Sequence, residues 1–181
     1  MTPQRLFTSG SKDSDEMAFL VPFDGTYLAE AALMRASEYG EALEEDVIAL
    51  TVVPDHEGYA IDVGWYETRE DEPFSVPYVA AKLREGVDDI APGATFRHEQ
   101  IDDRTPAAIA NRIKQTAEEI RPSVVFLGTD NVGEIAEPIT SVAGGVAENA
   151  TYDVHIVRYY APPSIPEVRL EDGSYRGIDE P

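Results

Sequence analysis

The 181-residue sequence contains no cysteine, three lysines (Lys12, Lys82 and Lys114), a single tryptophan and no long apolar run. Without cysteine there are no disulfides, thiolate metal ligands or cysteine nucleophiles. No stretch comes near the roughly 20 apolar residues of a membrane span. The opening MTPQRLFTSGSKDSDEM also lacks the apolar segment of a secretory leader. The expectation is a soluble, cytoplasmic protein. Positive charge is scarce as well: 14 Lys plus Arg stand against 35 Asp plus Glu, a net charge of −21. Such a chain repels duplex DNA, RNA and anionic lipid, so neither nucleic acid nor membrane is an expected partner.

What is present suffices for a core, with 43% hydrophobic residues in a chain of single-domain length. Residues 1–16 are polar and read as a loose extension. The apolar run MAFLVPFD (Met17–Asp24) ends in a turn signal and suits a buried strand. An Ala-, Leu- and Glu-rich helix follows from Thr26 to about Leu43, then a second buried strand, Asp46–Pro54, stopped by its proline. Residues 55–73, acidic, aromatic and without a sustained period, read as a long loop. A helix over 75–90 and an alternating strand over 94–101 come next. The helix Thr105–Pro122 opens with a Thr cap and a first-turn Pro. SVVFLGT is a fourth strand, Glu134–Asn149 a fourth helix, and YDVHIVRYY a fifth strand. Strict alternation of strand and helix predicts an α/β domain over 17–160, a five-stranded parallel sheet sandwiched by helices. Ligands of such sheets sit beyond the carboxyl ends of the strands, which directs attention to Asp24, to Val52–Pro54 and to Gly128–Gly133. The Pro-rich, acidic stretch 161–181 reads as an extended arm.

Gly128 and Gly133 have the spacing of the phosphate loop of nucleoside triphosphatases, between a strand and a helix. That motif continues with Lys and Ser or Thr, which bind phosphate and magnesium. Here Glu134 and Ile135 stand in those places, so this hydrolase class is excluded. His56, His98 and His155 come from separate segments without ligand spacing, and no metal site is expected. Ser9, Ser11 and Ser141 have no paired base, so no catalytic residues are assigned. Asp24-Gly25-Thr26 is by itself a helix entry in which Asp or Thr caps the first amides. The aromatics Tyr59, Trp65 and Tyr66 fit a loop folded onto the domain edge, with a lid over a ligand as the alternative.

Two separated segments carry a wider resemblance. FLVPFDGTYLAEAALMRASEYGEALEEDVIALTVVPD resembles the opening of the universal stress protein family, and VVFLGT…TSVAGGVAENATYDVHIVR resembles its close, so that the likeness spans Met17 to Arg158. The resemblance implies the adenine nucleotide alpha hydrolase-like fold and a stress-response protein that acts by binding, not as an enzyme. It further implies ATP, with Mg²⁺, as ligand. The positions carried over are Pro22 and Asp24, Val52, and Gly128, Thr129, Gly133, Thr140, Ser141 and Val142 along the glycine loop. It also implies a homodimer paired through the last strand, with Val154 and Ile156 in the contact.

The loop departs from the family pattern G-x2-G-x9-G-S/T. It is one residue short, Asn131 stands at the second glycine, and Thr140 at the third. Asn tolerates left-handed backbone and Gly133 can take over the second role, but Thr140 is β-branched, and Asp130 and Glu134 add negative charge that a divalent cation would have to offset. These departures weigh toward a plain strand-to-helix turn. Two readings stand beside ATP binding: a member that has lost the nucleotide and works through protein contacts, and a nucleotide-hydrolysing enzyme on the same fold. Acid excess combined with Lys scarcity also resembles proteins of salt-loving archaea, whose self-repulsion molar salt screens.

Overall fold

The computed structural model describes residues 18–68, 72–128, 142–147 and 151–158. The expected extension, the arm, and the loop positions Thr129, Gly133, Thr140 and Ser141 lie outside them. Five strands, β1 (Ala18–Pro22), β2 (Asp46–Pro54), β3 (Thr95–Ile101), β4 (Val124–Gly128) and β5 (Asp153–Val157), form one parallel sheet in the order β3-β2-β1-β4-β5. The helices are α1 (Tyr27–Leu43), α2 (Glu57–Asp62), α3 (Val76–Ile90), α4 (Pro106–Ile120) and α5 (Val142–Ala147).

Side-chain alternation along the strands builds two cores. Phe19 and Val21 of β1, Val47, Ala49 and Val53 of β2 and Phe126 of β4 pack with Ala32, Leu33 and Ala36 of α1 and Val79 and Val87 of α3. On the other face Leu20, Leu50, Val52, Val125 and Leu127 meet Ile109, Ile113 and Ala117 of α4 and Val146 of α5. Both faces are covered, so the central strands read as nearly continuous apolar runs.

Helix entries follow the sequence closely. Thr26, Ser75 and Thr105 cap α1, α3 and α4, each side chain accepting from the amide three residues on. The expectation of an unbroken loop over 55–73 is corrected by α2, whose Ala60 is fully buried. His56 caps it, Nδ1 accepting from the Tyr59 amide at 3.1 Å. His155 of β5 stacks on Phe126, with ring centroids 4.9 Å apart; burial and then the nearby Arg35 push its pKa below the ordinary histidine value.

β1 pairs with β4 only through Phe19 and Leu20, although β1 runs on to Pro22 and β4 to Gly128. A crevice therefore opens between their carboxyl ends, at the one place where the chain order of the sheet reverses direction.

Candidate functional site: the cleft at the carboxyl ends of β1, β2 and β4

Immediately after β1 the chain turns under tight control. The Phe23 amide donates to Leu50 O at 2.8 Å, and the buried Thr51 hydroxyl donates to Phe23 O at 2.7 Å, tying the turn to β2. Asp24 Oδ1 then accepts from both the Thr26 amide (3.0 Å) and the Thr26 hydroxyl (2.6 Å), while Thr26 Oγ1 accepts from the Ala29 amide. Gly25 sits between them at φ +74°, in the left-handed region where a side chain is disfavoured. Of the two capping residues expected, Thr26 is the cap and Asp24 its brace. The second carboxylate oxygen of Asp24 takes no part in that turn.

Val52 contributes backbone. Leu50 O faces β1, where it meets the Phe23 amide, whereas the Asp55 amide faces β3 and donates to Ile101 O at 2.8 Å. Alternation along a strand thus turns the N–H and C=O of Val52 toward β1. The β1–β2 register ends at Pro22 opposite Leu50, so those two groups face the crevice instead of a neighbouring strand.

Gly128 closes the other side. A Cβ built there would collide with the Leu28 carbonyl and lie 2.6 Å from the Ala29 nitrogen, because the end of β4 runs against the first turn of α1. This glycine is required by packing alone, whatever the cleft binds.

A cavity of about 120 Å³ joins these parts. Its lining includes the expected Pro22, Asp24, Val52, Gly128 and Val142, together with residues that the sequence did not single out: Leu50 and Leu127 from the strands, and Ile109 and Ile113 one turn apart on α4. Tyr59 and Trp65 line it too, so two of the three loop aromatics belong to the cleft, a correction to the domain-edge expectation. The Trp65 indole N–H donates to Asp24 O at 2.7 Å, and its ring meets Tyr59 edge to face at 5.6 Å. Burial, and secondarily the charge of Asp24, push the Tyr59 pKa above the usual phenol value. Tyr66 turns away instead, its hydroxyl donating to Glu72 O and its ring packing against Phe74 and Tyr78.

A larger concavity, about 590 Å³, lies at the opposite end of the sheet. Glu38, Glu41, Glu44, Glu45 and Asp46 line it where α1 and α3 end, and helix carboxyl termini add further negative potential. A phosphate is repelled there, so the smaller cleft is the candidate for a nucleotide. Among the described residues no group of three or more His, Asp or Glu side chains is placed to hold a metal ion, and no helix is long and apolar enough to cross a membrane.

The universal stress protein family model matches residues 17–158. Solved structures share the fold. They include a universal stress protein in complex with cAMP, at 18% identity and a TM-score of 0.55 over 78% of this chain and 96% of that one. A universal stress protein family member from Burkholderia pseudomallei gives 20% identity and a TM-score of 0.53, over 78% and 96% of the two chains. A universal stress protein from Archaeoglobus fulgidus in complex with dAMP gives 18% and 0.52, over 78% and 98%. No curated protein matches the chain.

Proposed function

The chain belongs to the universal stress protein family, and from that premise we propose that it is a cytoplasmic, homodimeric stress-response protein whose cleft takes an adenine nucleotide, ATP with Mg²⁺, and that it binds without catalysing. The observation that carries this reading is the pair of Val52 backbone groups turned into the crevice between β1 and β4, flanked by Asp24 and the backbone of Gly128. A donor and an acceptor on one strand edge match the alternating edge of a purine, and the apolar walls suit its faces. Solved universal stress proteins in complex with cAMP and with dAMP lend the ligand class support. The loop from Thr129 to Ser141 would supply amides to the phosphates, and Mg²⁺ would offset the charge of Asp130 and Glu134.

A second reading rests on two observations. Gly128 has a packing reason to be glycine, and Asp24 has a turn to brace, so both residues are accounted for without a ligand. On that reading the chain has lost the nucleotide and acts through protein contacts.

Calorimetric titration with ATP and Mg²⁺ in molar KCl separates the two. The nucleotide reading expects saturable heat and a raised melting temperature; no heat and no shift at millimolar ATP overturns it. The choice of salt follows from a further proposal, that the acid excess and Lys scarcity reflect life in molar salt.

A further inference from the structure

Trp65 is only 8% exposed and is pinned at its indole nitrogen by the Asp24 carbonyl, so it is a brace and offers little surface of its own. Tyr59 is different: half-buried, it packs against both apolar cores and rests its ring on Trp65. Its position is fixed from below as well. The Tyr59 amide is held by His56 Nδ1, and Ala60, the next residue, is wholly buried. The lining of the cleft therefore combines aliphatic side chains, Ile109 and Ile113 of α4, with aromatic ones, Tyr59 of α2 and Trp65 after it, and with Val52 of β2. A largely apolar cavity of about 120 Å³ has room for a planar ring, while a full nucleotide would have to extend its sugar and phosphates beyond it.

We propose that Tyr59, braced by Trp65, is the ligand-touching aromatic wall of this cleft and selects for compounds that carry a planar heteroaromatic base over sugar phosphates or bare polyphosphates. The proposal rests on the nucleotide reading above and adds a selecting residue to it. Stacking of a base on an aromatic side chain is sequence-tolerant, so Tyr59 sets the requirement for a ring and leaves the choice among bases to the Val52 edge.

The test compares wild type with Tyr59→Ala, Tyr59→Leu and Tyr59→Phe in molar KCl with Mg²⁺, titrating ATP, adenine and inorganic tripolyphosphate. Trp65 is the only tryptophan, and its ring centroid lies 5.6 Å from that of Tyr59, so its fluorescence reports on the wall directly. Tyr59→Phe is expected to keep wild-type affinity for ATP, and Tyr59→Ala to weaken it roughly tenfold or more. Tyr59→Leu, which keeps bulk but not the aromatic face, falls between them, and tripolyphosphate is indifferent to all three. Unchanged ATP affinity in Tyr59→Ala overturns the proposal. So does an equal loss for tripolyphosphate, which would mean general damage to the cleft. Should wild type take adenine through Tyr59 but gain nothing from the triphosphate, the nucleotide reading fails while the wall stands. Should wild type bind neither ATP nor adenine, both fall.

Discussion

At position 128 the space for a side chain is already occupied by the backbone of α1, at Leu28 and Ala29. Glycine here was expected from its place in a phosphate loop, and the structure supplies an independent reason that acts in the free protein. The two reasons make different predictions. If phosphate approach were the only requirement, Gly128→Ala would leave the unliganded protein as stable as before. The steric account requires β4 to retreat from α1, breaking packing that runs from Phe126 through Leu33, at a cost of about 2 kcal/mol or more. Urea denaturation without nucleotide, in molar KCl, reads this as a lowered midpoint with an unchanged slope. The same logic applies to Asp24, whose Oδ1 accepts from the Thr26 amide and hydroxyl and so has a structural role of its own. Loss of binding on replacing either residue therefore needs a stability measurement beside it before it counts as evidence for contact.

The sheet has two edge strands, β3 and β5; among the described residues β5 pairs with β4 alone and no strand covers its other edge. Ile156 is 36% exposed there, whereas Val154 is half-buried against the α4 face of the core. Of the two residues proposed for a dimer contact, Ile156 thus has the surface to give and Val154 chiefly supports the strand. Open edges with apolar side chains pair readily, and a charge placed on them opposes pairing. Ile156→Lys is expected to shift the sedimentation coefficient from dimer to monomer while the circular dichroism spectrum is retained; a dimer that persists would place the interface elsewhere. Legibility in the sequence also divides by element. β2 ends at Pro54, and α1 and α4 begin after Thr26 and Thr105, as expected, because prolines and caps are local signals. α2 was not legible: six residues show no period, and its cap is a histidine. The cleft was legible where strand ends define it, at Asp24, Val52 and Gly128, but not where long-range contacts do. Trp65 belongs to it through a bond to a backbone carbonyl 41 residues earlier, and Ile109 and Ile113 look like any apolar stripe on a helix.

For the whole molecule the deciding quantity is charge, −21 on a 19.9 kDa chain. Two electrostatic terms oppose each other as salt is added. Ion pairs weaken, such as Arg97 with Glu99 and Glu119, and Arg112 with Glu99. Each surface pair contributes about 0–1 kcal/mol, so screening them removes little. Repulsion among the excess carboxylates weakens too, and that term extends over the whole surface because 35 acids face 14 bases. Compaction holds like charges closer than the unfolded chain does, so screening favours the folded state. The Debye length falls from about 10 Å at 0.1 M to about 3 Å at 1 M, so most of the gain should arrive below 1 M KCl. The melting temperature is therefore expected to rise by roughly 5 °C or more between 0.1 and 1 M KCl and to flatten beyond. A continued steep rise to 3 M would mean that ion binding at the acidic surface, and not screening, stabilises the fold. A flat or falling curve would show that the ion pairs outweigh the repulsion, and would remove the argument for life in high salt.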